Sequence, residues 1–114
     1  MKAIEPVIRN VDIIREILLR ASVEEDFEPK GGLAEEHTAL LIDLGYLAGQ
    51  YLQESEGRLS YIEVMGLTRK GRALLEAVRN EAVWRKTKRK MGDTIDRMPL
   101  EKVREAAEEV VRHA

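Results

Sequence analysis

The sequence predicts a single, mostly helical α+β domain of 114 residues. Hydrophobic residues make up 44% of the chain and charged residues 35%, which is enough apolar material for a core and too much for a disordered chain. Over most of the chain apolar residues recur at three- and four-residue steps, as in amphipathic helices. Between residues 46 and 67 this period gives way to two runs rich in Tyr, Leu, Ile and Val, as in strands.

The first helix is predicted over residues 6–21. Pro6 suits a first-turn position because the N–H that it lacks has no helical partner there. The apolar face of this helix is formed by Val7, Val11, Ile14, Ile17, Leu18 and Ala21.

The next segment, 23–32, contains proline and a glycine pair and therefore predicts a loop, which we expect Phe27 to hold down. A second helix is predicted over 33–44, with Gly45 as its C-terminal stop. The expected buried stripe of this helix consists of Leu33, Leu40, Leu41 and Leu44.

The two strand-like runs, 46–53 and 59–67, are separated by a polar segment that contains Gly57. This arrangement predicts an antiparallel hairpin with a longer loop. In the second run we expect Ser60, Ile62 and Val64 to share one face, and Tyr61, Glu63 and Met65 to share the other.

Three helices are predicted after the hairpin. Thr68 is expected to cap a helix over 69–79, and Asn80 to cap one over 81–91. Gly71 inside the first of these costs about 1 kcal/mol relative to Ala and indicates a close approach by another element. Pro99 opens the last helix, over 99–112.

The order helix, helix, strand, strand, helix, helix, helix predicts a winged helix-turn-helix-like fold with additional C-terminal helices. A two-stranded ribbon is only marginally stable alone, so we expect its apolar face to lie on the neighbouring helices. The predicted division is a winged-helix-like core over 1–92 and a C-terminal helix within 93–114 that packs on the core or on a second subunit.

Three stretches together resemble a known family. They are Leu67-Thr68-x-x-Gly71-x-x-x-Leu75-x-x-x-Arg79-x-x-x-Val83-Trp84-x-Lys86, the run Ile13–Leu19, and the helix end Leu41–Leu47. The set is similar to the bacterial and prophage-associated family of unknown function numbered 2513. This resemblance implies a small winged-helix-like domain and no established activity. Where the family tends to an aromatic residue and a His, this chain has Arg69 and Arg72.

Charge is distributed unevenly along the chain. Residues 1–57 contain 5 basic and 12 acidic side chains, whereas residues 68–90 contain 9 basic and 2 acidic ones. Only the second segment is expected to attract a polyanion. The candidate nucleic-acid-binding residues are Arg69, Lys70, Arg72, Arg85, Lys86, Lys88, Arg89 and Lys90, with Arg58 on the wing. The alternative is a solvated face that pairs with the acidic N-terminal half.

Standard winged-helix docking is disfavoured by the helix before the hairpin. The segment 33–44 has no basic residue, and its carboxylates would oppose the phosphate backbone, which dominates affinity for DNA. We expect Trp84 to be a core or interface residue rather than a base-stacking one. His37 is expected to be a half-buried packing residue.

Several functional classes are excluded or disfavoured. The chain has no Cys, so it has no disulfide, thiolate zinc site or Cys nucleophile, and a reducing cytosol is favoured. No catalytic motif is present, and no enzymatic activity, metal, cofactor or small-molecule substrate is predicted. No run approaches the ~18 apolar residues of a membrane span, and the first residues lack an apolar signal segment. We therefore expect a cytoplasmic protein.

The last predicted helix has an apolar stripe with helical spacing. It consists of Leu100, Val103, Ala107 and Val110. The stripe could pack on its own domain or form the interface of a homodimer.

The predicted function is that of a non-enzymatic DNA-associated or transcription-regulatory protein that contacts double-stranded DNA. The alternative is a protein-interaction adaptor, such as a prophage accessory protein, that does not bind nucleic acid.

Overall fold

The computed structural model describes residues 9–24, 27–54 and 58–113. Within these residues it contains five α-helices, one 3-10 helix and a two-stranded sheet. In chain order the elements are α1 (Val11–Val23), α2 (Gly32–Asp43), β1 (Leu47–Gln53), β2 (Leu59–Leu67), α3 (Arg69–Val78), α4 (Glu81–Met91), the 3-10 helix (Gly92–Arg97) and α5 (Leu100–Arg112). The predicted α+β class, mostly helical with an antiparallel hairpin, is confirmed.

Helix α1 begins later than predicted. Asn10 has extended backbone, with φ of −132°, and its side chain accepts hydrogen bonds from the N–H groups of Asp12 and Ile13. Asn is among the best N-capping residues, so the helix begins at Val11. The predicted first turn at Pro6 lies outside the described residues. The other end of the helix is two residues beyond the predicted one, at Val23.

Helix α2 is enclosed in its middle and exposed at its ends. Its buried residues are the five consecutive positions 37–41. Leu40 and Leu41 are buried as predicted, but Leu33 is 53% and Leu44 42% exposed, so the predicted stripe was wrong at both ends. The reason is tertiary: the neighbouring elements cover the middle of α2 and leave the side chains of Leu33 and Leu44 in solvent, although Lys70 of α3 reaches the carbonyl oxygen of Leu44. Gly45 follows with φ of 84° and ends the helix as predicted.

The hairpin pairs β1 with β2 in antiparallel register. Leu47 lies opposite Leu67, and Leu52 lies opposite Tyr61. Val64 faces the core, whereas Tyr61 and Met65 on the other face are exposed. The predicted alternation thus holds from Tyr61 to Met65, whereas Ser60, expected on the face of Val64, is exposed at the register shift opposite Leu52 and Gln53.

The core gathers residues from every element around α1. The buried set includes Val11, Ile14, Ile17 and Leu18 of α1, Phe27, Val64 of β2, Leu74, Leu75 and Val78 of α3, and Trp84 of α4. Helix α5 packs on α3 and α4 and adds Leu100, Val103 and Ala107 to the same cluster. Within the single chain, α5 of the segment 93–114 therefore packs on the core.

The predicted N-cap of α3 and the predicted close approach at Gly71 are both present. Thr68 Oγ1 accepts the Gly71 N–H at 3.0 Å. A Cβ at Gly71 would lie 1.9 Å from the carbonyl oxygen of Tyr46, so the predicted close approach is confirmed. None of the helices in the described part of the chain combines the length and apolar character needed to cross a membrane.

Candidate nucleic-acid interface

Helix α4 separates an apolar inner side from a basic outer side. Asn80 Oδ1 caps the helix by accepting the Val83 N–H at 3.0 Å, as predicted. Trp84 and Thr87 are buried, whereas Arg85, Lys86 and Arg89 are exposed. Within the described residues these three cations make no ion pair or hydrogen bond, and we call them the α4 basic face.

Two other basic residues of α4 are neutralised within the fold. Lys88 Nζ lies 2.9 Å from Asp12 Oδ1, and Lys90 Nζ lies 3.1 Å from Glu109 Oε1. Both are exposed enough for solvent to weaken the attraction. The alternative of pairing with the acidic N-terminal half is thus realised at Lys88, whose partner is in α1.

Trp84 joins α4 to α1. Its side chain is 3% exposed, and its indole N–H donates to Asp12 Oδ1 at 2.8 Å. Burial alone would raise the pKa of Asp12, but hydrogen bonds from Lys88 and Trp84 outweigh it and hold that pKa below its usual value. Trp84 is therefore a core residue, as predicted, and its ring is not available for stacking on a base.

The three basic residues at the start of α3 have different environments. Lys70 Nζ donates to the carbonyl oxygen of Leu44 at 2.9 Å and lies 4.5 Å from the centroid of the Tyr46 ring. Arg69 and Arg72 are exposed and have no ion pair among the described residues. The eight candidate residues are thus divided between two helices, and six of the eight are exposed and without an acidic partner among the described residues.

The elements that a standard winged helix would use offer little to DNA. Arg58 forms a weak, exposed pair with Glu54 across the hairpin loop, with 3.5 Å between nitrogen and oxygen. Helix α2 presents Glu35 and Glu36 partly to solvent and buries its middle. This geometry places acidic side chains where a reading helix requires basic or amide groups.

His37 is more deeply placed than predicted. It is fully buried, its Nε2 accepts the Asn10 N–H at 2.9 Å, and its Nδ1 lies 2.6 Å from the Leu33 carbonyl oxygen. Nε2 therefore joins α2 to the start of α1, and Nδ1 is occupied within α2. Among the described residues no group of three or more His, Asp or Glu side chains could hold a metal ion.

The candidate dimer stripe on α5 is mostly enclosed by its own chain. Leu100, Val103 and Ala107 are buried in the core, and Val110 is partly buried. The stripe therefore leaves Val110, next to the exposed Val111, partly open to a second copy.

A cleft beside Lys70 was not predicted from the sequence. Its volume is about 440 Å³, and we call it the Lys70 cleft. Its lining residues are Arg9, Leu40, Leu44, Tyr46, Lys70, Pro99, Leu100 and Glu101. These positions are spread over most of the chain, so no local motif could have indicated the cleft.

Most of the chain matches a known protein family. A family model described as "Hypothetical protein (DUF2513)" matches residues 8–95. The matched range extends from the residues before α1 into the 3-10 helix and stops before α5. No curated protein and no solved structure gives a significant match.

Proposed function

We propose that this chain, which belongs to the DUF2513 family of hypothetical proteins, is a DNA-associated regulatory protein that holds the phosphate backbone of double-stranded DNA on its α4 basic face. The observation that supports the proposal is the set of three exposed cations, Arg85, Lys86 and Arg89, without an acidic partner among the described residues. Among the described residues they remain unpaired, although the full sequence has 21 acidic residues and a net charge of −2.

The spacing of these cations along α4 explains why a bound polyanion would stabilise the helix. Arg85 and Arg89 are four residues apart and Lys86 and Arg89 three apart, so each pair shares a side of the helix. Like charges at these spacings cost about 0.2–0.5 kcal/mol of helix stability per pair. A phosphate backbone laid along α4 would remove this repulsion and release condensed counterions.

We propose a winged-helix-like domain that contacts DNA through α4. It does not use α2, the helix that a standard winged helix would place in the major groove. The succession of α1, α2 and the hairpin supports this assignment of the fold. The acidic side chains Glu35 and Glu36 on α2 favour a backbone contact elsewhere on the molecule. Contacts to phosphates position a protein on DNA without reading the bases, so we expect little sequence preference.

Fluorescence anisotropy with two labelled duplexes of unrelated sequence tests this function. We expect equal affinity for both duplexes, falling as salt rises from about 50 to about 200 mM. The triple variant Arg85→Gln, Lys86→Gln, Arg89→Gln should bind more weakly. Its slope of log affinity against log salt should be shallower by about 2.7, because each phosphate contact contributes about 0.9.

The matched control removes the same charge from other elements. The variant Lys30→Gln, Arg97→Gln, Lys102→Gln changes three exposed side chains and should retain the affinity and salt slope of the parent protein. Equal losses in the two triple variants, or no binding by the parent protein at about 50 mM salt, would contradict the α4 assignment.

A protein-interaction adaptor is the second candidate, and the outer face of the hairpin favours it. Leu52 and Tyr61 lie opposite each other in register, and Met65 follows on the same face; the three are 62%, 43% and 69% exposed. Exposed apolar residues grouped in this way are typical of protein contact surfaces. The adaptor would replace the DNA proposal if the anisotropy series shows no binding.

A further inference from the structure

The Lys70 cleft has the size and position of a small-molecule site. Its volume of about 440 Å³ lies within the usual range for such sites. The cleft lies where the end of α2, the start of α3 and the start of α5 meet, with Arg9 beside them. Three helices therefore hold its walls.

The walls combine apolar and basic groups. Leu40, Leu44, Pro99 and Leu100 supply apolar surface. Exposed Leu44 is one of the residues for which the sequence predicted burial, and here it forms part of the rim. An apolar wall with a few polar groups is the usual composition of a site for a small organic molecule.

Both oxygens of the single carboxylate in the lining already accept hydrogen bonds. Glu101 Oε1 accepts the Tyr46 hydroxyl at 2.8 Å, and Glu101 Oε2 accepts Arg104 Nε at 2.9 Å. The hydrogen bond from Tyr46, together with Arg104, holds the pKa of Glu101 below its usual value. Glu101 therefore remains ionised but has little capacity left to bind a cationic ligand.

The two cations of the lining retain unused donors. Lys70 donates to one carbonyl oxygen, that of Leu44, although an ammonium group has three N–H bonds. Arg9 donates from Nη2 to the carbonyl oxygen of Met98, while its buried Nε has no acceptor among the described residues. The remaining N–H bonds of the Arg9 guanidinium and of the Lys70 ammonium can be donated to an anion in the cleft.

We propose that the Lys70 cleft binds a small organic monocarboxylate, with its carboxylate held by Lys70 and Arg9 and its apolar body on the leucines and Pro99. The lining has two cations with unused donors against one carboxylate whose two oxygens already accept hydrogen bonds, and this excess of donors and positive charge favours an anion. Its apolar walls select an anion with a hydrocarbon body. The inference does not depend on DNA binding, because the α4 basic face does not line this cleft.

An NMR titration of the full, isotopically labelled chain with phenylbutyrate tests the proposal. We expect saturable shifts of the backbone amides of Leu40, Leu44, Lys70, Leu100 and Glu101. The uncharged analogue phenylbutanol and inorganic phosphate should each bind at least about tenfold more weakly, because one lacks the charge and the other the apolar body.

Variants of exposed Lys70 separate a charge effect from a loss of folding. Lys70→Gln should weaken phenylbutyrate binding about tenfold, the value of one charge-assisted hydrogen bond, and Lys70→Arg should retain it. Lys102→Gln removes an exposed cation of α5 outside the cleft and should change nothing. Equal binding of phenylbutanol, tighter binding of phosphate, shifts confined to other surfaces or full affinity in Lys70→Gln would each overturn the proposal.

Discussion

Tyr46 is the residue through which three helices are joined. Its N–H donates to the Leu41 carbonyl oxygen of α2, and its own carbonyl oxygen accepts the N–H of Thr68, the residue that caps α3. Its hydroxyl donates to Glu101 of α5, while burial raises its pKa. The backbone of Tyr46 is thereby fixed directly against Gly71, where a side chain has no room.

Replacing Gly71 with Ala should therefore destabilise the fold. The new Cβ would lie 1.9 Å from the Tyr46 carbonyl oxygen. This backbone cannot easily move, because the N–H of Tyr46 is bonded to Leu41 and its carbonyl oxygen to Thr68. Overpacking of this kind costs about 1–3 kcal/mol, and we expect about 2 kcal/mol or more for Gly71→Ala in urea unfolding.

The control is Gly32→Ala at the first residue of α2. No heavy atom lies within 4 Å of a Cβ placed there, so the free energy of unfolding should stay unchanged or rise by up to about 1 kcal/mol. A similar decrease in the free energy of unfolding for Gly71→Ala and Gly32→Ala would contradict the steric explanation.

The side chain of Asp12 predicts a response to acid. Because the folded state lowers its pKa below 3.8, the stabilisation that it gives is complete above that value and is lost as pH falls through the lower folded value. Trp84 donates to this carboxylate, so its fluorescence should follow the titration below about pH 4. In Asp12→Asn the fluorescence change should disappear, whereas Asp93→Asn, an exposed aspartate after α4, should keep it.

At the scale of the element, the start of α3 depends on one hydroxyl. Thr68 Oγ1 accepts the Gly71 N–H and donates to the Gly45 carbonyl oxygen at 2.6 Å, so it joins the cap to the end of α2. Thr68→Ala should lower the free energy of unfolding by about 1–2 kcal/mol. Thr68→Ser keeps both hydrogen bonds and should lower the free energy of unfolding much less. An equal decrease for Ala and Ser would assign the effect to the lost methyl group.

Elements with local signals were predictable. The caps at Thr68 and Asn80 and the stop at Gly45 are read from single residues, and the structure has each of them where expected. The start of α1 was predicted too early because two acceptable start signals lie close together, and Asn10 rather than Pro6 begins the helix. Exposure of Leu33 and Leu44 depends on what covers α2, which the sequence does not specify.

The candidate site was predictable only in part for the same reason. The basic character of α4 is local, so Arg85, Lys86 and Arg89 were identified from the sequence. Which lysines are neutralised is not local: Lys88 meets Asp12 76 positions away, and Lys90 meets Glu109 on the next helix. The Lys70 cleft likewise depends on positions that only the tertiary fold brings together.

At the scale of the whole molecule, α5 is part of the core although the family match stops at residue 95. Leu100 and Val103 are buried, and burial of such side chains is worth about 1.5–3 kcal/mol each. A chain ending at Met98 should therefore lose most of a typical domain stability of about 5–15 kcal/mol and its cooperative thermal unfolding.

A shorter truncation provides the control for this prediction. A chain ending at Val111 loses only the last three residues and should unfold as cooperatively as the parent chain, measured by circular dichroism. If the chain ending at Met98 unfolded at the same temperature, α5 would be an appendage rather than a part of the core.

Helix α1 forms its polar contacts with the far part of the chain. Arg15 donates to the carbonyl oxygens of Val78 and Arg79, and the N–H of Val11 donates to Asp96, 85 positions later. During synthesis on the ribosome, α1 is made well before these partners. The nascent chain must keep its leucines and isoleucines soluble until residue 96 has left the exit tunnel, so this domain completes its folding only after α3, α4 and the 3-10 helix have all been made.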